Sequence, residues 1–221
     1  MSRFLPLLVW IFLAGCSAVP FQETAPVSME GVDPAALLAR FRDAVPERFR
    51  TMSSVVFEFA GKRVAALGVT EVDLAAGTFT SVAMNPMGVK LFELSGAPDG
   101  ATSGFLIEAV AQGRKGAAQA IGDDIRRVYF GLLPGPGAKP ERSRDRISFR
   151  TKAGAGTLVH VFAGADGFLV EKDLIEDGET VWKVRYYEYR MDRGKAYPRG
   201  IVLDNVRRGY RLIIRVKEIA V

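Results

Sequence analysis

From residue 51 to the C-terminus, apolar side chains recur at every second position in run after run, with glycines between the runs. Val55, Phe57 and Phe59 alternate with Ser54, Val56 and Glu58. A period of two sends successive side chains to opposite faces of a strand. Residues 63–73, 78–84 and 89–95 continue the pattern, punctuated by Gly61, Gly77 and Gly88. Residues 96–104 read as a loop and 105–110 as a fifth strand. A second series follows at 147–151, 157–162, 168–175, 181–190, 201–206 and 210–219, with Asp166-Gly167 and Asp177-Gly178 as hairpin signals. In the last run Tyr210, Leu212, Ile214 and Val216 point one way, while Arg211, Arg215 and Lys217 point the other, with Ile213 among them. About ten or eleven antiparallel strands on one chain must curl into a barrel, half-barrel or sandwich.

Two segments break the period. Residues 117–132 place Ile121, Ile125, Val128, Tyr129 and Leu132 three and four apart, a helical stripe that ends before Pro134-Gly135-Pro136-Gly137. Asp33-Pro34 starts a second helix over 34–44, with Leu37, Leu38 and Phe41 on one face and Pro46 beyond its end. Residues 137–146 read as a charged loop. The expected fold is therefore mainly β with a helical lid. A curled antiparallel sheet forms a half-open barrel, a central helix covers its concave side, and 33–221 make a single domain.

The N-terminus carries an address. Arg3 precedes an apolar run over 5–13, too short to span a bilayer, that ends in Leu13-Ala14-Gly15-Cys16. These four residues resemble the lipobox of bacterial lipoproteins. The resemblance implies a signal peptide over 1–15, diacylation of Cys16 and, with Ser17 following, sorting to the outer membrane with the domain facing the periplasm. The alternatives are a short signal peptide with an incidental cysteine, or a signal anchor. Residues 16–32 are polar and aperiodic and read as the lipidated cysteine and a flexible tether. A single cysteine excludes a disulfide framework and a cysteine zinc site. With 48% hydrophobic and 25% charged residues, the chain is not of the disordered class. The net charge of +5 gives no support for nucleic-acid binding. The clusters 142–150 and Arg207-Arg208 with Arg211 are solvated surface, or contacts to anionic head groups.

The lipobox, short first helix, curled sheet, central helix and closing strands together resemble the LolA/LolB-like proteins. Met84-Asn85-Pro86-Met87-Gly88-Val89 is similar to a turn between strands in LolB, and Tyr197-Pro198-Arg199-Gly200-Ile201-Val202-Leu203 to its C-terminal pattern. The resemblance implies an apolar cavity for acyl chains beneath a lid formed by 34–44 and 117–132. It also implies a membrane-facing turn at Met84 and Met87. The Leu-bearing loop that LolB inserts into the membrane is not recognisable, so another lipid client fits equally well.

Catalytic chemistry is sparse. His160 stands alone in a strand pattern, Thr102-Ser103-Gly104 is no nucleophile elbow, and Gly113-Arg114-Lys115-Gly116 is no phosphate loop. Asp123-Asp124 suits a helix N-terminal half better than a metal. No catalytic residue, cofactor or metal is expected, and the chain reads as a non-enzyme. Trp182 and Tyr186 share one strand face, Tyr187 and Tyr189 the other. The candidate cavity lining is Phe57, Phe59, Phe92, Leu94, Trp182, Tyr186, Leu212 and Ile214. The expected function is binding or transfer of a lipid or lipidated client by a monomer. The alternative is a scaffold with a filled barrel that binds envelope proteins at its surface, and a weaker third reading is a hydrolase using His160.

Overall fold

The computed structural model describes residues 19–111 and 113–221. Helix α1 (Pro34–Ala44) leads into β1 (Arg48–Phe59), β2 (Lys62–Asp73), β3 (Thr78–Met84), β4 (Lys90–Gly96) and β5 (Thr102–Leu106). Then come α2 (Glu108–Ala111) and α3 (Ala117–Tyr129). The chain closes with β6 (Lys139–Arg142), β7 (Arg146–Ala153), β8 (Gly156–Ala163), β9 (Phe168–Glu176), β10 (Glu179–Asp192), β11 (Lys195–Asn205) and β12 (Tyr210–Ala220).

All twelve strands form one antiparallel sheet in the order β5-β4-β3-β2-β1-β12-β11-β10-β9-β8-β7-β6. The chain meanders from β1 to one free edge, crosses through α2 and α3 to the other, and meanders back until β12 pairs with β1. The edges β5 and β6 do not pair, so the curled sheet is a half-open barrel. Register shifts at Met52/Ser53, Ala83/Met84, Val161/Phe162 and Thr180/Trp182 bend individual strands, the usual local means of increasing twist and curvature. The two-residue loop Asp177-Gly178 has positive φ at both positions, +51° and +83°. That geometry matches the twist of its strands.

The inward residues of the sheet, Phe79, Leu94, Ile147, Phe162, Trp182, Leu203 and Ile214 among them, form the main core with α1 and α3. Helix α1 has the predicted bounds. The Asp33 carboxylate accepts from Ala35 N at 3.3 Å and Ala36 N at 3.1 Å, and Phe41 sits edge-on against Phe162 at 5.3 Å.

Five local expectations fail. Residues 102–104 are strand, not loop. Gly104, at φ +138°, lies so close to β4 that a Cβ would stand 2.1 Å from the Glu93 carbonyl oxygen, and pairing across the sheet rather than propensity makes this strand. Residues 108–111 are helix α2, not the end of a strand. Residues 139–142 form the edge strand β6, whose Pro140 and charged side chains suit an unpaired edge. Helix α3 stops at Tyr129, not 132, where Phe130 leaves the helical region. Finally, residues 19–32 are no free tether. Phe21 and Met29 are buried, and Met29 N donates to Arg144 O at 2.9 Å.

Candidate functional site

Helix α3 lies across the concave face, and its contacts follow the strand order from one edge toward the other. The Gln119 side chain bonds Thr102 N and Gly100 O at the start of β5, at 3.0 and 2.9 Å. Asp124 accepts from the Tyr210 hydroxyl of β12. The Val128 carbonyl accepts from Tyr186 OH of β10 at 2.8 Å. The Phe130 carbonyl accepts from Lys172 Nζ of β9 at 2.6 Å, and the Gly131 carbonyl bonds His160 Nε2 of β8 at 2.9 Å. The last carbonyls of a helix have no partner of their own. Here the sheet supplies them.

Burial governs the titration of these groups. Loss of solvent lowers Lys172 to about 7 and His160 to about 4. Gly131 O requires the His160 proton on Nε2, which leaves Nδ1 as an unpartnered acceptor. Asp124 is raised by burial, against the pull of Tyr210 and Arg127, whose Nη1 stands 2.5 Å from its Oδ1. Arg126 reaches the Gly77, Ala97 and Ala101 carbonyls at 3.2, 2.5 and 3.4 Å and lies over the Phe79 ring at 5.1 Å. His160 is fully buried and its ring bonds a main-chain carbonyl, so it works in the lid attachment rather than beside a nucleophile in a cleft.

The candidate lining residues divide into two groups. Leu94, Trp182, Tyr186 and Ile214 are buried in the core shared with α3. Phe57, Phe59, Phe92 and Leu212 are only partly covered. Phe57 packs on Phe59 at 6.3 Å and on Tyr210 at 5.4 Å, and faces Val64 across β1 and β2. At this end Phe59 is 38% and Val64 54% exposed, although both belong to the concave side. The sequence list did not include Val64, Tyr210 or the charged groups around them. The inward placement of Val64 and Tyr210 is readable from the period of two, but their exposure depends on where α3 ends.

Two spaces remain. One is an apolar slot of about 50 Å³ beneath α1, bounded by Phe41, Phe49, Tyr129, Tyr186, Tyr197 and Ile201. The other is an open groove of about 810 Å³ between the β1–β2 and β11–β12 hairpin tips, where Phe59, Val206 and Tyr210 meet Lys62, Arg63 and Arg211. Its size falls in the usual ~300–1,000 Å³ range of ligand sites; the slot, at this size, has no room for an acyl chain.

Several other candidates are now placed. Tyr187 lies on the outer face beneath Phe21, ring centroids 5.5 Å apart. Tyr189, expected beside it, turns inward instead. Glu188 at φ +54° breaks the alternation, and the Tyr189 hydroxyl donates to Leu169 O at 2.8 Å. In the turn after β3, Met87 is 84% exposed and Met84 half-buried, with Asn85 Oδ1 accepting from Met87 N at 3.0 Å and Val89 N at 2.9 Å. Arg150 and Arg207 are paired with Glu141 and Glu176. Leu13, Ala14, Gly15 and Cys16 lie outside the described residues. Among the described residues, no helix is long and apolar enough to cross a membrane and no cluster of three or more metal-ligating groups occurs.

No family model matches the sequence, and neither does any curated protein. Solved structures do match. A DUF1329 family protein from Desulfovibrio piger aligns with TM-score 0.53 at 10% identity, over 83% of this chain and 90% of that one. A LolA superfamily protein from Nitrosomonas europaea aligns with TM-score 0.51 at 8% identity, over 86% and 94%. A proposed outer membrane lipoprotein-sorting protein domain from Vibrio parahaemolyticus aligns with TM-score 0.50 at 10% identity, over 84% and 89%. These alignments span most of this chain and nearly the whole of each matched structure: the chain has the LolA/LolB-like fold.

Proposed function

We propose that the protein is an envelope lipoprotein, anchored to the outer membrane through acylated Cys16, that binds the acyl part of a lipid or lipidated client at the open end of its half-barrel. One observation carries the reading. The concave face is left uncovered at Phe59 and Val64, and this apolar end opens onto a groove of about 810 Å³ whose rim holds Lys62 and the ion pairs Arg63–Glu58 and Arg211–Asp204. An apolar floor with a charged rim suits an amphiphile, whose chain leaves water while its polar head stays at the edge. The ligand requires no cofactor, and its chain advances only as far as α3 yields. In this reading the exposed turn at Met87, toward the same end of the sheet, touches the bilayer.

A second reading has its own support. Helix α3 fills the middle of the barrel and is tied to β8, β9, β10 and β12 by side-chain hydrogen bonds, as in a scaffold that binds envelope proteins on its surface. Native mass spectrometry of residues 17–221, exported on a cleavable signal and purified without detergent, separates the two. A stoichiometric lipid supports the carrier and identifies its client. A protein that stays free of lipid after incubation with envelope lipids supports the scaffold. For the anchor, Cys16→Ala should yield a protein without acyl chains, released from the membrane fraction; unchanged fractionation would remove that claim.

A further inference from the structure

The first described residues are fixed to the convex side of the sheet. Val19 and Val56 pack on a small outer cluster of Phe21, Tyr187, Val202 and Ile213. Arg215 donates to the Pro20 carbonyl at 2.8 Å and lies 4.6 Å over the Phe21 ring. Gln22 N donates to the Glu188 carboxylate at 3.0 Å. Gly200 gives Phe21 its seat, since a Cβ there would stand 2.5 Å from the ring. Only three residue steps separate Val19 from Cys16, a span of at most ~10 Å even when fully extended.

Beside this point the convex face carries apolar side chains that no described residue covers. Met52 and Leu67 are 38% and 39% exposed, and Phe105 is 54% exposed. On the same face Met52 pairs with Val69 and Val69 with Val82, while Leu67 pairs with Met84. Val56, packed on the same outer cluster as the N-terminal segment, pairs with Ala65, two residues from Leu67. Around the patch stand the ion pairs Arg50–Glu71 and Arg63–Glu58 and the exposed Lys217.

We propose that the convex face of β1–β3, with Phe105 at its margin, is the surface by which the acylated protein lies on the bilayer. The proposal rests on acylation of Cys16. An acylated cysteine sits at the interface, and so short a link cannot hold the domain away from it. The face next to the link is thereby kept at high effective concentration against the membrane. Exposed apolar side chains set among ion pairs fit that environment, with the apolar tips in the interface and the charged groups at the level of the head groups.

The test uses the mature acylated protein reconstituted in vesicles of phosphatidylethanolamine and phosphatidylglycerol. Cys16 is the only native cysteine and acylation consumes it, so spin labels go on Leu67→Cys, Phe105→Cys and, as the control on β7, Lys152→Cys. The labels at 67 and 105 should lose collisions with a water-soluble nickel relaxant and gain collisions with oxygen on reconstitution, while that at 152 stays unchanged. If all three remain equally exposed to the nickel relaxant, the proposal is overturned. Shielding already present before lipid is added would assign the patch to a second copy of the chain, and also overturns it. The mass of the mature chain is measured first. An unmodified Cys16 removes the length constraint and the proposal with it, but leaves acyl binding at the groove standing.

Discussion

His160 and Lys172 pair across β8 and β9 and hold the two carbonyls that follow α3. Because burial lowers His160 from 6.5 to about 4, the unfolded chain takes up its proton first as the pH falls. The stability associated with a neutral His160 is therefore fully present above about pH 6.5 and is lost as the pH drops toward 4. Asp173, raised to about 7 chiefly by burial and then by Glu171, works in the opposite sense, so the His160 contribution must be read as a difference. Thermal melts of the wild type and His160→Gln from pH 4 to 7 should show the wild type losing ground relative to the variant as the pH falls. A constant difference would mean that the ring titrates normally. The sequence marks both residues as strand positions, but not that the sheet presents them to a helix terminus. That juxtaposition arises between residues 29 and 42 positions apart.

Helix α3 depends on close approach. A Cβ on Gly122 would lie 2.0 Å from Thr102 Oγ1 on β5, so Gly122→Ala should cost ~1–3 kcal/mol by forcing α3 off the edge strand. Chemical denaturation would report it, and restoration by a second change, Thr102→Gly, would identify the clash as the cause. The N-terminal segment offers a second case. Phe21 is 7% exposed, and Phe21→Ala should free residues 19–32 for proteolysis while the sheet remains folded; limited digestion followed by mass analysis checks it. The composition of this segment, polar and aperiodic, gave no sign of attachment. Its anchors are two apolar residues, Phe21 and Met29, and main-chain groups whose partners lie far along the chain. Helix α1 was legible to the residue because its capping Asp33, Pro34 and following Pro46 act locally. Strands β5 and β6 were not, since small or charged residues become strand there only by pairing with a neighbour.

At the scale of the whole molecule, the half-barrel is divided by α3 into a closed centre and an open end. Phe59→Glu changes a 38% exposed side chain, so it should shift stability by no more than ~0.5 kcal/mol. Placing a carboxylate on the apolar floor should weaken acyl binding by about tenfold or more, the effect of ~1.4 kcal/mol. Titration with a fluorescent fatty acid, set beside a thermal melt, reads both. Unchanged affinity would move the ligand away from this end. The candidate lining was found as a set of inward residues, and the structure divides the set, because period alone tells which face a side chain takes and not what covers it.

The sequence by itself determined the class of the protein. Its period-two runs, glycine turns and two amphipathic helices require a curled antiparallel sheet with a crossing helix, since each such element exposes one apolar face that must be covered. These signals act over a few residues, so they survive without knowledge of the fold. Tertiary structure alone decided that α3 fills the barrel, that the supposed tether is fastened to the convex face, and which end of the concave face stays open. Each of these depends on contacts between segments distant in sequence, where the free energy comes from burial and from pairing main-chain groups that no local pattern encodes.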